Sequence, residues 1–584
     1  MDTATSQERP PIYPATRSGV PGVLMLIILL WLVGCGVGEV GPDELDDLLV
    51  FEAVDPLDKV LQETAFFKGL EAVADVARGE HATLQFVIRS NAHIENLRAS
   101  VEAVTSEQGT LTEVKVGYVG YVRVGRSTPT PSRDRIVSPS GYYPDPILEE
   151  ASIDLRKDAS QPIWVSVAIP KEAEPGTYTG SLSVIGRING RDFETSKGFS
   201  INVYSPVIER TSLWVTNWFT LSAQQLGRMN GGVPVEPFSE TYWTLTRKLA
   251  RKMAEYRQNV ALLSPLRLAS YSLEEGTYSI DFANFDRTVE LFIEEGVVGR
   301  IEGGHIGRRE STWTTPFVVY VPIVKADTTV FELYPITDEP ARSFYQQFIP
   351  ALTAHLKEKG WDAIYMQHLA DEPITANIDS YIEIARFVKA LAPELRVVEA
   401  CHTRDLERTV DVWVPQLNFL HDDYDFYDQS QQQGDEVWFY TCLAPQGEYA
   451  NRFIELPLIK TRILHWINYR YRIPGYLHWG LNHWRGDPFD ETTGIITESG
   501  NVLPGGDAWI IYPTEGGVLS SIRLEAMRDG IVDYELLKML ERHRPEEARE
   551  LARQVVYRFD LYDVNVEAFR AKRRRILELL ADAS

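Results

Sequence analysis

The sequence predicts a multidomain β plus α/β protein. An N-terminal β-sandwich is followed by a (β/α)8 barrel of the TIM type, with a helical C-terminal extension. Three observations predict this. Apolar and polar residues alternate in short runs up to about residue 205, the period of half-buried strands. After about residue 210, short apolar runs alternate with amphipathic helical stretches, the pattern of a parallel sheet with crossover helices. From about residue 520 the periodicity is helical to the end. The expected boundaries are a leader over 1–35, the sandwich over 36–208, the barrel over 209–515 and the extension over 516–584.

The leader is read as an address. Val23 to Val33 is an unbroken apolar run preceded by Arg9 and Arg17. It falls short of the roughly 20 residues that a spanning helix needs and fits the apolar core of a secretory signal. It ends in Leu32-Val33-Gly34-Cys35, which resembles the bacterial lipobox. The expectation is an exported bacterial lipoprotein, lipidated on Cys35 and anchored to a membrane at the cell surface or in the periplasm. Cys401 and Cys442 would then be the remaining thiols, read as buried and free.

In the first domain Leu84, Phe86 and Ile88 alternate with their neighbours, as do Val165, Val167 and Ile169, then Leu182 with Val184 and Ile201 with Val203. Pro175-Gly176 and Asn189-Gly190 mark turns between strands. Ser127 to Pro146, rich in Pro, Ser and Asp, reads as a long loop. The barrel strands are expected at Leu213–Asn217, Asn259–Leu263, Arg300–Gly304, Ile364–Leu369, Arg396–Ala400, Val412–Gln416, Val437–Thr441 and Gly475–Trp479. Between them, Tyr242, Leu245, Leu249 and Met253 share one helix face, and Tyr381, Ile384, Phe387, Val388 and Leu391 another.

Composition narrows the function. A hydrophobic fraction of 44% and a charged fraction of 24% are those of a globular protein. The formal charge of -25 argues against a nucleic-acid partner. Three cysteines exclude a disulfide scaffold and a four-cysteine zinc site. No glycine-rich phosphate loop and no Gly-x-Ser-x-Gly elbow appears, so no cofactor is expected. His305, His368, His402 and His483 lack the spacing of a helix-borne metal motif, so no metal is expected either.

The chemistry should sit at the carboxyl ends of the barrel strands. The fourth candidate strand runs Ile364-Tyr365-Met366-Gln367-His368-Leu369-Ala370-Asp371-Glu372-Pro373, closing on two carboxylates. Acids sharing a site split their pKa values into a proton donor and an anion, the division of labour that glycoside hydrolysis requires. The same tripeptide also starts helices. Asp338-Glu339-Pro340 is such a copy; no buried strand leads into it, so it reads as a cap. Other strand ends carry Trp214, Asn217, His305, His402, Gln416, Tyr440, Trp479, Asn482, His483 and Trp484. Trp479, Trp484, Tyr440, His368 and His402 are the candidate substrate-binding residues by position, since aromatic faces beside carboxylates suit a sugar ring.

At these residues the chain resembles glycoside hydrolase family 123 and the wider group labelled domain of unknown function 4091. The resemblance rests on Arg78-Gly79-Glu80-His81, Gly141-Tyr142-Tyr143-Pro144-Asp145-Pro146 and Pro175-Gly176-Thr177-Tyr178 in the first domain. In the second it rests on Gln367 to Pro373, Glu436 to Cys442 and Tyr476 to Gly480, and most specifically on Ser521 to Glu535. It implies an exo-acting, retaining β-N-acetylgalactosaminidase that works by substrate assistance, the acetamido oxygen attacking the anomeric carbon to form an oxazolinium ion. On that resemblance Glu372 is the general acid and then base, and Asp371 orients the acetamido group and stabilises its nitrogen. Arg523, Glu525 and Arg528 are expected in buried ion pairs instead. The implied partner is a glycan or glycoconjugate. Two alternatives stay open: a glycosidase of the same fold acting on another sugar, and a carbohydrate-binding lipoprotein without catalysis.

The leader carries its own test. Replacement C35S abolishes labelling by radioactive palmitate in a bacterial host and moves the chain out of the membrane fraction; a C35S chain that still takes up label rules the lipid site out.

Overall fold

The computed structural model describes residues 41–325, 328–406, 408–493 and 502–582. The leader and Cys35 lie outside the described residues. From Glu39 onward the chain forms one compact unit.

The N-terminal region is β-rich, as the alternation predicts. One sheet orders its strands Leu49–Val54, His81–Ser90, Ser160–Ala168, Val114–Arg123 and Tyr142–Leu148. The second runs Val73–Arg78, Arg191–Val207, Gly176–Ile188, Ile94–Val101 and Ile153–Leu155. Phe86, Ile88, Val165 and Val167 of the first sheet share a core with Leu182, Val184, Ile201 and Val203 of the second. One feature departs from the alternation. Gln85 and Val87 are also buried, because the segment after Val54 covers the other face: Gln85 donates to the carbonyls of Asp55 and Asp58, and Val87 packs on Val54 and Val60. The stretch 127–146 is a loop only as far as Gly141; Tyr142 onward is an edge strand.

All eight expected barrel strands exist, shorter than expected. They are Trp214–Asn217, Val260–Leu262, Arg300–Glu302, Tyr365–Met366, Val398–Cys401, Val412–Pro415, Glu436–Val437 with Phe439–Thr441, and Gly475–His478. All their pairings are parallel. They form three separate three-stranded sheets, and no single closed ladder is found among the described residues. Isolated parallel bridges Gln367–Val397 and Gln416–Tyr440 lie between sheets, and the Asn259 amide reaches the Val215 carbonyl at 3.3 Å. The helix Glu240–Glu255 buries Tyr242, Leu245, Leu249 and Met253, and Ile378–Leu391 buries Tyr381, Ile384 and Val388. After the third strand an antiparallel insertion of strands Gly307–Arg309, Phe317–Lys325 and Thr328–Tyr334 interrupts the pattern; the sequence reading missed it. No helix among the described residues is long and apolar enough to cross a membrane.

The helical tail joins the other two parts through buried charge. Arg523, at the start of helix Ile522–His543, is fully buried. It donates to both oxygens of Asp145 at 2.8 and 2.7 Å and to the carbonyls of Arg452, Gly506 and Trp509. Gly506 sits at φ +87°, and a Cβ there would lie 2.7 Å from the Arg523 guanidinium, so glycine is required on both counts. Arg528 pairs with Glu525 at 2.6 Å. Arg573, from the basic run of the last helix, pairs with Glu80 at 2.6 Å and with Asp533 at 2.8 Å. The recognisable phrases Gly141 to Pro146, Arg78 to His81 and Ser521 to Glu535 are therefore interlocking halves of joints.

Removing one partner of such a pair strands a charge in the interior, which costs about 3–5 kcal/mol. The variant R523A should lose that much stability in urea unfolding, with R523A/D145A less destabilised than R523A alone. A loss near zero for R523A would show that Asp145 does not depend on it.

Candidate active site

Strand Tyr365–Met366 breaks early. Its extension bends as Leu369 to Glu372 leave the sheet direction, and Glu372 takes a left-handed conformation at φ +52°. Such a φ is rare for a non-glycine residue and persists only when its surroundings enforce it. Here the Glu372 amide donates to the Ala400 carbonyl at 3.0 Å, and Arg309 donates to the Glu372 carbonyl at 2.6 Å. Consecutive side chains on a straight strand point oppositely; the bend lets Asp371 and Glu372 both line one cavity of about 1370 Å³. Asp338, by contrast, stands at the N-cap of helix Glu339–Lys359, as its context predicted.

Asp371 and Glu372 are the only carboxylates lining this cavity among the described residues. They are held differently. Glu372 Oε1 accepts from Tyr440 and lies 3.0 Å from His402 Nε2. His402 Nε2 also meets the Tyr440 hydroxyl at 2.7 Å, to which Gln416 donates at 3.3 Å. Burial works to raise the Glu372 pKa, but His402 and Tyr440 hold it below the ordinary value. Asp371 opens on the cavity, with His305 Nε2 3.8 Å from its Oδ1. Burial and the neighbouring charge of Glu372 push its pKa up to about 6. The raised carboxyl is thus Asp371, whereas acid work by Glu372 calls for a raised Glu372; the difference arises because both donors converge on Glu372.

Behind the pair lies a buried polar cluster. Glu399, on strand Val398–Cys401, accepts from His305 and His368 at 3.2 and 3.1 Å. Its other oxygen accepts the backbone amides of Leu369 and Ala370 at 2.8 and 3.0 Å. Burial opposes its ionisation, yet the two histidines hold its pKa at about 2. His368 is also 3.7 Å from Glu302. Burial disfavours its charge, but the carboxylates of Glu302 and Glu399 outweigh that and raise it to about 10. Glu302 accepts from Thr216 and the Trp218 indole, both at 2.9 Å. By donor type, His305, His368 and Glu399 could hold a divalent cation. Here Glu399 bonds to both histidines, while His368 Nε2 and Glu302 Oε1, 3.7 Å apart, have no hydrogen-bond partner among the described residues.

The structure brings together Asp371, Glu372, His402 and Tyr440. Tyr440 is buried and touches Glu372, not the cavity. His368 is fully buried beneath the pair, so it supports the site without facing a ligand. Trp484 is also buried, its indole donating to the Ile511 carbonyl at 2.7 Å. Trp479 turns its indole inward to Asp507 at 3.1 Å. Neither tryptophan lines the cavity; both follow the eighth strand, but their N–H groups found partners in the interior. Of the aromatics that do line it, among them Phe219, Phe238, Phe317 and Tyr320, Trp313 is the exposed one, at 41%. Arg309 stacks on it at 3.7 Å and His402 lies 5.6 Å away. It sits in the insertion that the sequence reading missed. Cys442 also lines the cavity, and burial keeps its thiol well above its ordinary pKa, so it stays protonated. Cys401 and Cys442 are both free; Cys401 is buried as expected, whereas Cys442 is half-buried because it borders the cavity.

A cavity at the ends of parallel strands, lined by two carboxylates and an exposed indole, is the kind of site a glycoside hydrolase uses. The family models agree. The Glycoside hydrolase 123, catalytic domain matches residues 223–540, more than half of the chain, and the Glycoside hydrolase 123 N-terminal domain matches residues 68–186. The chain belongs to glycoside hydrolase family 123. Among solved structures, a family 123 glycoside hydrolase from Clostridium perfringens, described in terms of glycolipid glycan hydrolysis, aligns with a TM-score of 0.69 at 16% identity. The alignment covers 92% of this chain and 97% of that one, so the two share a fold. An FMN-binding beta-glucuronidase from Facaelibacterium prausnitzii L2-6 aligns over 80% of this chain and 61% of its own, at 9% identity and a TM-score of 0.29. A beta-D-glucuronidase from Dictyoglomus thermophilum aligns over 79% and 68%, at 9% identity and 0.29. No curated protein matches the sequence.

The Asp371 shift has a stability consequence. Between the ordinary 3.8 and about 6 the folded chain keeps a proton that the unfolded chain releases. Stability contributed by this group therefore falls as pH rises through that window. D371N removes the fall, so its melting temperature should gain on wild type from about pH 4 to pH 6 and run parallel above. Curves parallel throughout would place the Asp371 pKa at its ordinary value.

Proposed function

We propose that this protein is an exo-acting, retaining glycosidase that releases terminal β-linked N-acetylgalactosamine by substrate assistance. The observation that carries the reading is the pair itself. Its two carboxylates come from consecutive residues, and no other described carboxylate lines the cavity. A double displacement with an enzyme nucleophile sets its two acids about 5 Å apart on either side of the scissile bond. Adjacent acids on one turn suit a reaction whose nucleophile is the substrate's own acetamido oxygen.

In this mechanism the sugar ring lies against Trp313. Asp371 accepts the acetamido N–H and stabilises the charge growing on that nitrogen as the oxazolinium ion forms. Glu372 donates a proton to the leaving oxygen, then takes one from the water that opens the oxazolinium ion. The pKa order favours a second assignment, with Asp371 carrying the proton and Glu372 the charge. The parallel strands are read as a (β/α)8 barrel whose ring is completed by the bridges at Gln367 and Gln416 and the Asn259 amide. The substrate is a glycolipid or other glycoconjugate glycan, met by an exported chain anchored through Cys35.

The experiment compares hydrolysis of nitrophenyl and dinitrophenyl β-N-acetylgalactosaminides by wild type, D371N and E372Q, beside the glucosamine epimers. A lost general acid matters least for the better leaving group. If Glu372 is the acid, E372Q loses about 10²–10⁴-fold on the poorer leaving group and far less on the dinitrophenyl sugar, while D371N loses on both. The opposite pattern assigns the proton to Asp371. A folded wild type inactive on every N-acetylhexosaminide sinks the substrate reading.

A further inference from the structure

We infer that Glu399 is the positioning residue that makes the Asp371-Glu372 turn possible, its side chain standing in for strand pairing. The inference rests on the reading of Asp371 and Glu372 as the catalytic pair. Strand Val398–Cys401 is the neighbour of the fourth strand, which it meets at the Gln367–Val397 bridge. Beyond Gln367 the ladder stops. Were the fourth strand to continue, its amides would bond to the neighbouring backbone and its side chains would alternate in and out, sending Asp371 and Glu372 to opposite faces.

Instead the amides of Leu369 and Ala370 both point at Glu399 Oε2, at 2.8 and 3.0 Å. The turn then rejoins the neighbouring backbone two residues later, through the Glu372 amide and the Ala400 carbonyl at 3.0 Å. The carboxylate reaches where no backbone carbonyl does, so two buried amides are satisfied while the chain bends. His305 and His368 supply two further donors to Oε1 and Tyr381 a longer one to Oε2 at 3.4 Å. The two backbone amides at Oε2 can only donate, and an ionised carboxylate, an acceptor on both oxygens, meets them and the histidine N–H groups alike. A glutamine would present an NH₂ group to either the amides or the histidines.

Three measurements test this. In wild type, residue-resolved hydrogen exchange should show Leu369 and Ala370 protected like the strands although no ladder partner faces them; exchange at loop rates would overturn the inference whatever the enzyme's activity. In E399Q, the same two amides should exchange about tenfold or more faster while the rest of the chain keeps its protection. On the nitrophenyl sugar that wild type cleaves, E399Q should lower kcat by about 10²-fold, the cost of a small misplacement of catalytic groups, with KM within about threefold. The loss should not multiply with that of D371N, because both act through one turn. Losses that multiply in D371N/E399Q, or an E399Q enzyme with wild-type kcat, would overturn it. A wild type inactive on every sugar would instead fail the catalytic reading and leave the exchange result to decide the role of Glu399.

Discussion

The buried pair of Arg523 and Asp145 is the constraint on which the arrangement of the chain depends. A guanidinium has five N–H donors in a fixed plane, and all five of Arg523 are used: two on Asp145 and three on the carbonyls of Arg452, Gly506 and Trp509. Asp145 comes from the edge strand of the β-rich region, and the three carbonyls come from the loops that close the parallel-strand region. One side chain from the tail thus sets the relative position of both. The linkage continues inward. The Arg452 side chain, itself buried, donates to Asn217 and to His478 and Gly480, at the carboxyl ends of two neighbouring strands. Burial lowers the His478 pKa well below its ordinary value, and the charge of Arg452, which donates to its Nδ1, adds to this, so His478 is held neutral. Buried hydrogen bonds therefore run from the first domain to the carboxyl ends of these two strands.

Much of this was legible because it follows from periodicity. All eight short apolar runs after residue 210 became strands, since a buried parallel strand needs a continuous apolar run and tolerates little else. The two copies of Asp-Glu-Pro were separable for the same reason. Asp338 follows a polar stretch and begins a helix, whereas Asp371 follows a buried strand and leads into a turn, with the next helix starting only at Ile378. The expected burial of Arg523, Glu525 and Arg528 also held, though Asp145, the partner of Arg523, lies hundreds of residues away in the first domain.

What was not legible depends on direction in space. Glu399 is one acid inside a strand of otherwise apolar residues, and nothing local says that it faces the backbone of another strand. Trp313 lies in an antiparallel insertion whose strands lack a helix-like period. Trp479 and Trp484 follow a strand end as a rim residue should, but an indole N–H must find an acceptor when buried, and Asp507 and the Ile511 carbonyl supplied it. Strand ends locate a rim; they do not say which of its side chains turn outward.

The electrostatics of the site follow from where the donors lie. Glu399 is satisfied by four short donor contacts and stays charged; Glu372 has two donors converging on one oxygen; Asp371, among the described residues, has only His305 at 3.8 Å. As donors become fewer, the order of acidity falls, from about 2 for Glu399 through the lowered Glu372 to about 6 for Asp371. Asp371 and Glu372 titrate as a pair, because each charge opposes the other, so the proton resides on the member with fewer partners. The least satisfied carboxylate is also the one most open to the cavity. In the proposed reaction, an amide N–H reaching Asp371 would supply the stabilisation that Glu372 already draws from Tyr440 and His402; the charge so fixed on Asp371 would disfavour a second charge on Glu372 and move the shared proton to it.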